Sequence, residues 1–447
     1  ILVGFPGVDG YAGSFVSVYT YSETIGGLID NPAAYIPATN ATNNSPIGTG
    51  FWVWMADNLT TLNANTIEVT GPPEIGNSNL NVSFTSSGGI ANDGWNLIAN
   101  PYCSTIDWDS PAWTKTNMDN ATYIYHGTTQ QYASYVAGVG TNGGSQYIPS
   151  SQGFYVKANA AAPVLIASEN IKASTNPSYL KPAASNNPKE VLYITCEGIS
   201  FTDETALHFT DSASLGFDSD WDAVKLFSDN SQNISLSTRN GMQDLSINSI
   251  PKSLSNMTIP LRAKVGTSGQ YTLSFRGLES LSASSCITLE DTYTGVITNL
   301  RTQNTLAYFL SDTANKPRFL IHISNAYRLE TTPSTCGSTG SGKLIITGNT
   351  NSIYTLSNMQ GSIIKSSTII AGSDTVSNLN TGFYLLLFTD SSTACISFAD
   401  TVEIKEGTSV IASFNTTTAS VLPNQLVFFS NQSNGASYYS WDFGDDS

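Results

Sequence analysis

The residues able to do chemistry are few and scattered. Three histidines occur, His126, His208 and His322, each in a different run of short apolar segments. A zinc site needs converging ligands, and neither a His-Glu-x-x-His motif nor a close cysteine pair supplies them. The histidines read as ordinary strand or edge residues. The densest acidic cluster is Asp211, Asp218, Asp220 and Asp222, set around Phe217 and Trp221. Calcium prefers several oxygen ligands, so Asp218, Asp220 and Asp222 on a loop are the candidate metal ligands, with structural calcium as the candidate cofactor. On a regular strand the three would share one side and repel each other. The competing reading is an exposed acidic loop that orients the apolar run Ala223-Val224-Lys225-Leu226-Phe227. The EF-hand pattern is not met, because its glycine and terminal glutamate are missing.

Other catalytic patterns fall short. Gly337 to Lys343 has the glycine and lysine spacing of a phosphate-cradling loop, yet Leu344 stands where a Ser or Thr must reach magnesium. Lys343 to Ile346 reads as a strand rather than the required helix, so this stretch is better taken as an interdomain connection. No Gly-x-Ser-x-Gly elbow is present. Carboxylates for glycoside hydrolysis can meet in space from distant strands, but Asp107 and Asp109 beside Trp108 are better explained as turn or capping residues. The expectation is a protein that is not an enzyme.

Aromatic residues are the stronger signal. Trp52, Trp54, Trp95, Trp108, Trp113, Tyr102, Tyr132 and Tyr135 crowd the first third of the chain. Rings on a solvent face can stack on a sugar while Asn and Asp bind its hydroxyls. Core packing is the commoner use, and Trp52 and Trp54 share one strand face, which reads as interior. Asn-x-Ser/Thr sequons, among them Asn81, Asn120 and Asn233, arise readily in so Asn-rich a chain and carry no function by themselves.

The elements that must position these residues are strands. Short apolar or alternating runs, such as Phe15 to Tyr21, Gly50 to Met55, Tyr123 to Tyr125 and Gly153 to Lys157, are bounded by Gly, Asn, Ser or Pro. No long helical period exists; the best helical candidate is one turn near Ser110 to Trp113, capped by Asp109. The predicted class is all-β: tandem β-sandwich or jelly-roll-like and Ig-like modules. Composition shifts place them at 1–165, 188–326 and 337–406, with an incomplete module at 411–447.

Composition narrows the function further. The 447 residues carry 18 Lys and Arg against 34 Asp and Glu, a formal net charge of -16, and only 12% are charged. An ordinary soluble domain has about 25%. Nucleic-acid binding needs clustered cations and is excluded as an expectation. No apolar run is long enough for a transmembrane helix. Five cysteines, Cys103, Cys196, Cys286, Cys336 and Cys395, are widely spaced. Pairs Cys196–Cys286 and Cys336–Cys395 would each lie in one module, and buried free thiols are the alternative. The chain starts without Met and stops after a strand-like run, so the natural polypeptide is expected to continue. The apolar start Ile1-Leu2-Val3 is a candidate donor strand for self-association into filaments.

Two segments carry a family resemblance. Gly94-Trp95-Asn96-Leu97-Ile98-Ala99-Asn100-Pro101-Tyr102, with Ile106-Asp107-Trp108 and the later Gly153 to Val156, resembles a module of large exported surface proteins of Bacteroidetes. Phe217 to Lys225 resembles the acidic turn of the β region that often follows it. Cys103 departs from that pattern, where another Pro is usual. Together these cover about residues 11 to 325. The segments Ala412 to Phe414, Val427 to Ser433 and Tyr439 to Asp445 are similar to the opening half of a PKD domain, an Ig-like sandwich, with Trp441 in its core. The resemblance implies an adhesin-like substrate of the type nine secretion route, extracellular or on the outer cell surface. Its implied partners are a surface glycan or a protein receptor, and it brings no catalytic residue. The alternative is the accessory glycan-binding portion of a secreted hydrolase.

Overall fold

The computed structural model describes residues 18–25, 29, 32–38, 45–53, 72–86, 93–175, 189–252, 256–282, 285–311, 317–325, 327–335, 340–348, 352–370, 372–390, 397–407, 411–417, 420–435 and 438–442. The candidate donor strand Ile1-Leu2-Val3, Trp54, Cys336 and Cys395 lie outside them. The protein is all-β, and among the described residues the helical pieces are four 3-10 turns of three residues each. Ser110 to Trp113 is not among them and forms a single hydrogen-bonded turn, with the Trp113 amide on the Ser110 carbonyl at 3.4 Å. Its Ala112 amide is held by the Ser110 hydroxyl at 3.3 Å, while Asp109 instead accepts a bond from the Tyr135 hydroxyl. The segment is too short to repay the cost of nucleating a helix.

The chain divides into two compact units, Ile1–Ser282 with Ile287–Ile323, and Ala283–Cys286 with Ser324–Ser447. In the first, a five-stranded antiparallel sheet runs in the order Val139–Thr141, Gln131–Val136, Thr122–His126, Gly153–Lys157, Trp95–Ala99. Its strands are covered on both faces. Ile98, Ile124, Tyr135, Phe154 and Val156 enter one cluster with Trp108 and Tyr102, while Trp95, Tyr123, Tyr132 and Tyr155 enter another. This explains why Gln131–Val136 is buried at every position instead of alternating. The second cluster also takes Val191, Ala206, Ala223 and Ile247, so the spans expected as modules 1–165 and 188–326 share a core. The strands of the 188–326 span build an eleven-stranded sheet in which Thr202–Phe209 runs parallel to Gln243–Ile250. Leu192, Ile194, Leu236, Leu261, Phe275 and Phe319 form its interior.

The recognisable Gly94-Trp95-Asn96 to Tyr102 segment is architectural. Gly94 has φ +79°, and a Cβ there would sit 2.0 Å from the Ala158 carbonyl oxygen, so only glycine fits. Buried Asn96 donates to the Ser83 and Gly94 carbonyls and accepts from the Ser83 amide. Asn100 donates to the carbonyls of Ser104, Ile148 and Pro149 and accepts from the Tyr102 amide. Each amide side chain ties loops that have no ladder partner, which is how buried polar backbone becomes satisfied.

The second unit is a two-sheet sandwich. Tyr327–Thr332, Gly342–Gly348 and Gly372–Leu379 form one sheet; Ile363–Ile369, Ser352–Asn358, Gly382–Asp390 and Ser397–Ile404 form the other. Alternate residues, Leu344 with Ile346, Tyr354 with Leu356, and Leu386 with Phe388, fill its core. Lys343 stands exposed on a strand, as its β pattern predicts and a phosphate loop would forbid. Near the C-terminal end Phe414–Thr416 pairs with Phe429–Asn431, and Phe414, Phe429 and Trp441 pack ring to ring at 5.8–6.0 Å. Trp441 is still 39% exposed.

The expected Cys196–Cys286 pair does not form. Cys196 is a free thiol in the interior of the eleven-stranded sheet, whereas Cys286 is disulfide-bonded and belongs to the core of the second unit. Lying in one expected module did not place the two in one core, and for Cys196 the alternative, a buried free thiol, holds. Burial pushes the Cys196 thiol up to about 12, leaving it a small apolar residue.

Candidate functional site

The acidic cluster resolves into a lock. The Asp218 carboxylate accepts from the Ser214 amide at 2.5 Å, and the Asp218 carbonyl takes the amides of Trp221 and Asp222. Asp222 is fully buried, and its two oxygens accept from the Asp218 amide at 2.8 Å and the Ser249 amide at 2.6 Å. Asp220 is exposed. The three side chains thus occupy three different environments, and among the described residues no group of three His, Cys, Asp or Glu side chains is placed to hold a metal ion. Burial pushes Asp222 up to about 7 against the pull of its two amide bonds.

A Ser-His-Asp trio lies beside this lock. His208 Nδ1 is 3.2 Å from the Ser249 hydroxyl, which donates to the Trp221 carbonyl at 2.7 Å. Asp222 holds the Ser249 amide rather than the imidazole, so among the described residues no carboxylate orients the ring as a general base. Burial lowers His208 to about 4, with Lys189 and Lys252 adding to the effect. The ring is neutral packing against Trp221, its centroid 6.0 Å away. Of the other histidines, His322 bridges Glu290 and Thr258, and His126 accepts the Thr129 amide.

Most of the sequence-flagged aromatics are interior: Trp95, Trp108, Trp113, Tyr102, Tyr132 and Tyr135 are all buried. Trp52 differs. It is half-buried and, with Tyr125, walls an open groove of about 960 Å³ in the first unit. Their ring centroids stand 4.6 Å apart and tilted by 46°, with Tyr35 behind Trp52 at 6.1 Å.

Three segments assemble this groove. Gly50 lets the first approach the sheet edge: its amide bonds Leu97 O, and a Cβ would lie 2.7 Å from the Ile98 carbonyl oxygen. Trp52 then pairs with Tyr19. Tyr125 comes from Thr122–His126, whose hairpin returns through Gly127 to Gln130. The third segment, Ser228 to Ile234, is stitched to that hairpin. Asn233 donates to the carbonyls of Thr129 and Gln130, and Gln131 donates to Asn233 and to Ile234 O. The Asn233 sequon is therefore a buried strut. The stitching sets Asp229 opposite Tyr125, with the Tyr125 hydroxyl donating to Asp229 Oδ1 at 3.2 Å. Burial, with the Asp229 charge adding to it, raises the Tyr125 hydroxyl well above the ordinary tyrosine range and keeps it protonated.

The polar lining is half used. Gln130 accepts from Asn230 at 2.5 Å through Oε1, and Gln152 donates to Gly153 O at 2.7 Å through Nε2. Gln130 Nε2, Gln152 Oε1 and Asp229 Oδ2 have no partner among the described residues. Two residues at the groove, Gln130 (φ +54°) and Ser151 (φ +63°), hold left-handed backbone without being glycine. Such strain gathers where a side chain must be aimed. Sequence reasoning flagged Trp52 but assigned it to the interior, and missed Tyr125, on a strand, and Gln130, Gln152 and Asp229, on turns and loops that only the fold brings to it.

Residues 11–322 match the family model of a domain of unknown function, DUF8693. The chain belongs to the DUF8693 family. That match spans the five-stranded sheet, the groove and most of the eleven-stranded sheet, so the groove is part of the family domain itself. No curated protein matches the chain.

Proposed function

We propose that this chain is a non-catalytic extracellular structural or adhesive protein: a surface stalk, adhesin or filament component built from tandem β modules. The observation that carries the reading is how the interior spends its reactive groups. The buried Asp203–Lys225 pair, the Asp222 lock and the His208–Ser249 contact are each committed to holding strands or loops. The resemblance to exported Bacteroidetes surface proteins and to the PKD opening supports an outer-surface setting. A disulfide-bonded Cys286 fits an oxidising compartment.

Beads coated with the purified chain provide the test. Retention on cell-surface material, or on beads coated with the same chain, is the expected result; no retention on either, together with turnover of a polysaccharide or protein substrate, overturns it. The open groove favours a second reading, the accessory glycan-binding portion of a secreted hydrolase. That reading expects retention on glycan surfaces with no self-association.

A further inference from the structure

We propose that the groove between Trp52 and Tyr125 is a binding site for an uncharged pyranose, read by the open atoms of Gln130, Gln152 and Asp229. The proposal deepens the adhesive reading and rests on it for its biological setting. Three observations converge on this ligand class.

First, the half-buried Trp52 and Tyr125 rings line the groove, and aromatic rings stack on the apolar faces of sugars. Second, the open polar atoms alternate in kind. Gln130 Nε2 is a donor, whereas Gln152 Oε1 and Asp229 Oδ2 are acceptors. Each of these side chains is already fixed through its other polar atom, so little rotamer freedom is lost on binding. Sugar hydroxyls both donate and accept, and a fixed mixture of donors and acceptors discriminates among them. Third, among the described residues the lining includes Asp229 and no Lys, Arg or His, and the chain carries a net charge of -16. An acidic sugar would meet an uncompensated carboxylate, so sialylated, uronic or sulfated glycans are disfavoured.

The experiment is a calorimetric and tryptophan-fluorescence titration of the whole chain with cellobiose, lactose and maltose as neutral probes and 3′-sialyllactose as the anionic one. At least one neutral probe is expected to bind, with 3′-sialyllactose weaker by about tenfold or more. Asp229→Ala and Gln130→Ala should each weaken the neutral probe by about tenfold, the loss of a hydrogen bond to a charged or fixed partner; Asp229→Ala should leave the melting temperature unchanged, and Gln130→Ala, which also loses the Asn230 bond, should lower it by no more than about 4 °C. Trp52 also braces Tyr35, so these two variants rather than Trp52→Ala carry the test. No binding of any neutral probe, equal binding of the sialylated one, or full affinity in both variants overturns the proposal. Bead retention that neutral sugars do not compete would defeat the glycan site and leave the adhesive reading standing. Neutral-sugar binding at the groove without any bead retention would do the reverse.

Discussion

Two polar sites in the first unit use the same residue types to opposite ends. At Asp203 the carboxylate is saturated: it accepts two bonds from Lys225, and one each from Asn142, Glu204 N and Leu236 N, with both charged side chains essentially without solvent contact. At the groove, Asp229 makes one long bond and Gln130 and Gln152 make one each, in reach of solvent. The difference teaches that function here is read from what a side chain leaves unused. A carboxylate with every lone pair taken is a strut, and one with an oxygen to spare beside a half-buried ring is free to serve the proposed receptor.

Removing the strut should give the largest effect. Asp203→Ala leaves the Lys225 charge buried and several donors unpaired, so urea unfolding should show a loss of about 3–5 kcal/mol. A loss under about 1 kcal/mol would erase the contrast with the groove.

The His208 and Asp222 pair sharpens it through pH. His208 titrates at about 4 folded against 6.5 unfolded, so over that window the unfolded chain binds more protons and stability rises with pH. Asp222 titrates at about 7 folded against 3.8 unfolded, so the folded chain binds more protons and stability falls as pH rises. The two slopes oppose each other, each being worth up to about 3–4 kcal/mol. His208→Gln should unmask the falling slope and Asp222→Asn the rising one in denaturation followed from pH 4 to 7. Identical profiles in both variants would contradict the assignment.

Gly94→Ala should cost about 1–3 kcal/mol by the same measurement, because a Cβ at positive φ meets the Ala158 carbonyl oxygen. The smallest effect belongs to the groove: Asp229→Ala should change stability by less than about 0.5 kcal/mol, as an exposed side chain outside the core. Calcium or a chelator should likewise shift the melting temperature by less than about 1 °C, since Asp222 has both oxygens occupied by amides.

The all-β class was legible because apolar runs at Thr122 to His126 and Gly153 to Lys157 are short and end in turn residues. The acidic loop was legible only as a cluster: the alternative reading made it exposed, whereas Asp222 is fully buried, its two oxygens taken by the Asp218 and Ser249 amides, and of the three candidate ligands only Asp220 is exposed. The shared core of Trp95, Tyr155 and Ala223 was not, because residues so far apart in the chain join only through tertiary packing. The groove escaped for the same reason. Trp52 and Trp54 alternate as an interior face would, and nothing in their spacing reveals that the Ser228 to Ile234 loop stops short of covering Trp52. The open atoms of Gln130 and Asp229 depend on which hydrogen bonds form elsewhere, a property no local pattern encodes.

Bead retention of the Gln130→Ala/Asp229→Ala double variant, compared with the parent chain at a temperature below both unfolding transitions, tests the central contrast most directly. Retention on glycan-bearing surfaces should fall by about tenfold or more while the fold is untouched. Retention equal to the parent, with a stability loss in its place, would show the groove to be one more strut.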